Sequence, residues 1–159
     1  MTYVSPPLEI PDPADAEVAR VDLQVFGVGH REGSYEVRIF LGRPDADADT
    51  APDAEHGYAG SYYVFGHGGC VGDEMHCHVP DGPSHRYDVR PPHKLTPQTR
   101  VVKLTEAWHR LKVAAGDDGE PPTIEVTLVP VNAVDPAGNR LADAGDLLVL
   151  DRIAIFAYA

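Results

Sequence analysis

Hydrophobic and polar positions alternate in several short runs of this 159-residue chain, with a period of two rather than the helical 3.6. Val21, Leu23 and Val25 alternate with Asp22 and Gln24, which predicts a half-buried strand starting near Val18 and ending near Gly27-Val28-Gly29. Tyr35, Val37, Ile39 and Leu41 alternate with Glu36 and Arg38, and Arg31-Glu32-Gly33-Ser34 has turn composition, so the two runs are expected to form a hairpin. Residues 58–65 predict another strand, with Tyr62 and Val64 on one face and Tyr63 and Phe65 on the other, the aromatic rings being assigned to packing. Residues 99–104 form a further strand candidate, and so does the alternation of Ile124, Val126 and Leu128 with Glu125 and Thr127. Asp135-Pro136-Ala137-Gly138-Asn139 then turns the chain, and residues 147–158 carry the mixed apolar run of a well-covered strand.

One helix is predicted, capped by Thr105 and running over residues 106–114, with Trp108, Leu111 and Ala115 on its apolar edge; Gly116-Asp117-Asp118-Gly119 stops it. Residues 80–92 are rich in turns around one short strand at 86–90. Strands of this number and length, joined by turns, predict an all-β fold: an antiparallel β-sandwich of about seven strands with one short helix. Residues 1–16 hold four prolines and no periodicity, so they are expected to be an extended N-terminal arm, with residues 17–159 as a single β-sandwich domain. Residues 43–57 contain no apolar side chain larger than alanine and are expected to form an acidic surface loop that is not buried. Asp45, Asp47 and Asp49 there imitate alternate ligands of a calcium loop, but the glycine and glutamate at its sixth and twelfth positions are missing, so they are read as solvated charge.

The charge balance narrows the partners. Thirteen Lys and Arg against twenty-five Asp and Glu give a formal net charge of -12 and a pI near 4.9, a field that repels phosphate backbones and anionic lipid surfaces. Nucleic acid and membrane partners are therefore disfavoured. With no basic segment leading into an apolar run, and no long apolar stretch, a cytoplasmic location is the expectation.

Chemistry concentrates in residues 65–78, which hold both cysteines and three of the eight histidines beside permissive glycines. A core segment would carry Val, Ile and Leu at those positions. A two-residue turn at Asp73-Glu74 pairs Cys70 with Cys77, and directly opposed residues on antiparallel strands have Cβ atoms about 4.5–5.5 Å apart. That distance suits one shared metal ion and is close to disulfide range. His76 and His78 fall on the face opposite Cys77 if the backbone is extended. The candidate metal ligands are therefore His67, Cys70, His76, Cys77 and His78, either as the two thiolates with His67 or as the imidazoles of His76 and His78. A disulfide with bystander histidines stays open as the alternative. Thiolate and imidazole suit both copper and zinc, and the affinity order favours copper. A blue-copper site is not expected, since Met75 lies between the ligands rather than downstream of them. His85 and His93 are read as surface histidines, and Asp73 and Glu74 as solvated carboxylates at a turn tip. No nucleophile elbow, phosphate loop or dinucleotide fingerprint is present, so no catalytic residue is assigned.

The phrases Tyr35-Glu36-Val37-Arg38-Ile39-Phe40-Leu41, Tyr58-Ala59-Gly60-Ser61-Tyr62-Tyr63-Val64-Phe65-Gly66-His67-Gly68 and Leu95-Thr96-Pro97 resemble the β-rich C-terminal domain of tyrosinases and polyphenol oxidases, over about residues 20–158. In that family six histidines of a separate helical domain hold two coppers, and the C-terminal domain covers their entrance. With one short helix, this chain cannot build that dicopper centre. The resemblance therefore implies an accessory domain for a copper oxidase partner, or a relative that works alone on a small phenolic substrate as a copper or zinc enzyme. A structural sandwich braced by a disulfide is the third reading. Sandwich edges and an acidic surface favour a specific homodimer or a complex with a cognate partner over unspecific association.

Overall fold

The computed structural model describes residues 2–9, 18–30, 33–66, 96–115 (backbone alone at 113–115), 123–142, 144 and 147–159. Among these, nine strands and one helix follow in order: β1 Tyr3–Val4, β2 Leu8–Glu9, β3 Arg20–Val28, β4 Ser34–Leu41, β5 Tyr58–Val64, β6 Gln98–Lys103, α1 Thr105–Ala115, β7 Thr123–Ile124, β8 Val126–Val134 and β9 Arg152–Tyr158. They form a four-stranded sheet β1-β8-β4-β5, a three-stranded sheet β6-β3-β9 and a two-stranded ribbon β2-β7, all antiparallel. The fold is all-β and sandwich-like, as the alternation predicts.

The two larger sheets bury the inward halves of their alternating strands against each other. Val21, Leu23 and Val25 of β3 meet Val37 and Ile39 of β4, Tyr62 and Val64 of β5, and Val126 and Leu128 of β8 in one cluster, nearly all with no exposure. Each such aliphatic side chain contributes about 1.5–3 kcal/mol by leaving water. Helix α1 adds Ala107 and Trp108 to the same core. The Thr105 hydroxyl, expected as the helix cap, accepts the Val21 N–H at 3.0 Å and so ties α1 to β3.

The expected hairpin of β3 and β4 does not form. Strand β3 is flanked on both sides by β6 and β9, and β4 by β5 and β8, so residues 29–33 carry the chain from one sheet to the other. Alternation fixes which face of a strand is buried and leaves its neighbour unspecified. Gly27, at φ 68°, sits where the β3–β6 register shifts between Val25 and Val28, and a Cβ there would collide with the Asp151 carboxylate.

Other expectations shift in detail. The proline-rich arm contributes two strands: β1 pairs with β8, and β2 pairs with β7. Ser5 between them donates its backbone N–H to the Val126 carbonyl and accepts the Val126 N–H at its hydroxyl oxygen, both at 2.9 Å. The acidic loop does lie at the surface, yet Ala46 is only 4% exposed, packing with Phe40, Val129, Val131 and Tyr58 into a second cluster on the outer face of the four-stranded sheet. A methyl group is enough to seal a bulky patch beneath it. Its carboxylates shape turns: Asp47 Oδ1 accepts the N–H groups of Asp49 and Thr50, both at 3.0 Å. The last strand begins at Arg152 and lies at a sheet edge, so Ile153 and Ile155 are buried while Phe156 and Tyr158 keep 37% and 43% exposure. It is therefore half-covered, where the apolar run of 147–158 reads as a well-covered strand.

Candidate functional site

The five candidate ligands His67, Cys70, His76, Cys77 and His78 lie outside the described residues, as do His85, His93, Asp73, Glu74, the turn that would pair the cysteines and the short strand at 86–90. What the structure does describe is the frame from which this segment leaves and to which it returns. It departs from the end of β5 in the four-stranded sheet and re-enters at β6 in the three-stranded sheet.

The departure point is fastened twice. The Gly66 N–H donates to the Ser34 hydroxyl at 2.9 Å, and the Phe65 carbonyl oxygen lies 3.2 Å from His30 Nδ1. A carbonyl only accepts, so Nδ1 carries the proton in this bond and Nε2 keeps its lone pair. His30 Nε2 is buried and has no hydrogen-bond partner among the described residues. An imidazole whose Nδ1 is held by a carbonyl while Nε2 is free is in the tautomer that ligates metals through Nε2. No local pattern singles out His30, because it lies 35 residues from Phe65 and outside the dense segment. Only the pairing of the strand ends brings the two together.

Further unsatisfied polar atoms border the same end. Thr96 Oγ1, Arg100 Nε and Tyr62 OH are buried without partners. The β3–β6 register pairs Val25 with Arg100 and Val28 with Gln98, which places Thr96 level with His30. Burial pushes the Tyr62 phenol above its ordinary value, neighbouring Tyr35 adds to the shift, and Arg100 opposes it. Tyr35 does have a partner, donating its hydroxyl proton to the Leu147 carbonyl at 2.8 Å.

The aromatic residues of β5 divide as their alternation predicts, but not all of them pack. Tyr62 is 7% exposed and belongs to the core, whereas Tyr63 and Phe65 keep 57% and 75% of their surface in water. The assignment of all three to packing is corrected for the last two, which stand on the outer face of an edge strand. Among the described residues no group of three or more His, Cys, Asp or Glu side chains converges in a way that could hold a metal. The nearest approach to such chemistry is a pair, His56 Nδ1 at 2.6 Å from Asp53 Oδ1, and this bond holds the exposed Asp53 carboxyl below the usual range. Compared with known proteins, the chain matches no protein-family model and no curated protein.

Proposed function

We propose that the protein is a metal-binding β-sandwich, taking copper in preference to zinc, that serves a copper oxidase as an accessory domain. The observation that carries this reading is the density of ligands in residues 65–78: both cysteines and three of the eight histidines of the chain. Thiolate and imidazole suit copper and zinc alike; the affinity order favours copper, and the resemblance to tyrosinase C-terminal domains leans the same way. The frame lends support, since His30 stands at the root of this segment with Nδ1 engaged and Nε2 unpartnered. Exposed Tyr63 and Phe65 at the same root suit contact with a second protein.

The competing reading is a metalloenzyme that acts alone on a small phenolic substrate. Metal analysis of the purified protein, followed by an oxidase assay on catechols and aminophenols with added copper, separates the two. The accessory role predicts bound metal and no turnover by the chain alone. Robust turnover by the isolated chain would overturn it.

A further inference from the structure

The outer face of the four-stranded sheet carries an arginine whose guanidinium makes no hydrogen bond among the described residues. Arg38 of β4 lies opposite Ser61 of β5 and Val129 of β8, with its side chain 19% exposed and its Nε buried without a partner. Its nearest carboxylate, Glu36 Oε2, is 3.8 Å from Nε, beyond hydrogen-bonding distance. That same oxygen is taken by Asn132, whose Nδ2 donates to it at 2.9 Å.

Asn132 owes its position to an irregularity in the ladder. Between the pairs Ser34↔Val134 and Glu36↔Val131, strand β8 spends one residue more than β4, and Asn132 adopts φ 54°. A bulge re-aims side chains, and Asn tolerates the left-handed region better than most residues. Here it turns the amide onto the outer face, beside a cavity of about 280 Å³ that Arg38 and Asn132 line together with Thr2, Ala48, Val129 and Leu141. The cavity combines one partly desolvated cation, one amide and aliphatic walls.

We propose that this cavity binds a small monocarboxylate, its carboxylate on the Arg38 guanidinium and its short aliphatic chain against the exposed side chains of Ala48 and Leu141. A guanidinium presents paired donors that match a carboxylate, and donors held out of water gain most from a charged acceptor. Small-molecule sites run from about 300 to 1,000 Å³, so this cavity admits a ligand of few atoms. The Glu36 carboxylate close by disfavours dianions such as phosphate.

Titration of the full chain with isovalerate, followed by backbone amide NMR, tests the proposal. Saturable shifts are expected at Val129, Val131, Asn132 and Leu141, with acetate binding at least about tenfold more weakly because it lacks the aliphatic chain. Isovaleramide, equal in shape but uncharged, should not saturate. Arg38→Met should weaken isovalerate binding by at least about tenfold and Arg38→Lys by less, since a lysine supplies charge without the paired donors. Absence of saturable shifts, equal response to acid and amide, or unchanged affinity in a folded Arg38→Met protein would each overturn it. The acid and amide comparison is made on the native chain, so it decides even if Arg38→Met fails to fold.

Discussion

His30 Nδ1 stands 3.2 Å from the carbonyl oxygen of Phe65, joining the end of one sheet to the root of the cysteine and histidine segment that leaves the other. The bond fixes the imidazole tautomer and leaves Nε2 buried and unpartnered. His30→Ala is expected to lower metal affinity by about 10–100-fold, the range for groups that support or complete a metal site. Competition against a chromophoric chelator measures this, and an unchanged affinity would remove His30 from the account.

Tyr62 offers a test of the polar atoms left unsatisfied in the core. Its hydroxyl is buried without a partner, so Tyr62→Phe should be neutral or stabilising by about 1 kcal/mol in urea unfolding, where removal of a satisfied hydroxyl would destabilise. The pH dependence follows from the same burial. A phenol whose folded pKa is raised contributes stability that is fully present below its ordinary value of 10.0 and is lost as pH climbs above it, because the unfolded chain ionises first. Wild-type protein should lose stability above about pH 10 more steeply than Tyr62→Phe.

The turn after β8 should respond at the other end of the pH scale. Asp135 accepts the Asn139 side-chain amide at 2.9 Å and the N–H groups of Ala137 and Asn139 at 2.9 and 2.8 Å. These bonds, the Asn139 side chain foremost, hold its carboxyl below the ordinary value. A depressed folded pKa contributes stability present above the unfolded value and lost as pH falls through the folded one. Asp135→Ala should therefore lower the melting temperature at neutral pH and differ little from wild type in acid, as differential scanning calorimetry at both pH values would show.

The acidic loop is predicted to be stabilised from beneath. Phe40 has no exposure, meets Tyr58 edge-on at 5.8 Å between ring centroids, and is covered by Ala46. Phe40→Ala should cost about 3–5 kcal/mol by denaturant unfolding, as buried aromatic truncations do. A cost near zero would mean that the loop does not close over this patch in solution.

How much of this was legible beforehand depends on what each pattern encodes. Period-two alternation located β3, β4 and β5 to within a residue or two and assigned their buried faces, because burial of one face is a local property of sequence. Strand partners were not legible. The turn-like residues 31–34 read as a hairpin, while the pairing of β3 with β9 links residues more than a hundred positions apart. The acidic loop misled through composition, since alanine scores as too small to matter and Ala46 matters because it is small. The ligand-rich segment was conspicuous from its cysteines and histidines, whereas His30 and Arg38 carry no local signal: one is recruited by a strand end, the other stands 3.8 Å from a Glu36 carboxylate that Asn132 engages from a bulge in the ladder.

The central claim is that residues 65–78 hold a metal ion through their thiolates and imidazoles. Its most direct test is the stoichiometry of copper(I) and zinc titrated into reduced wild-type protein and into Cys70→Ser, with free thiols counted in parallel. The account predicts one ion per chain for wild type, two free thiols before metal addition, affinity that falls as pH drops because protons compete for the thiolates, and loss of binding in Cys70→Ser with the sandwich intact. Two missing thiols with no bound metal, or full occupancy that survives Cys70→Ser, His76→Ala and His78→Ala alike, would contradict it.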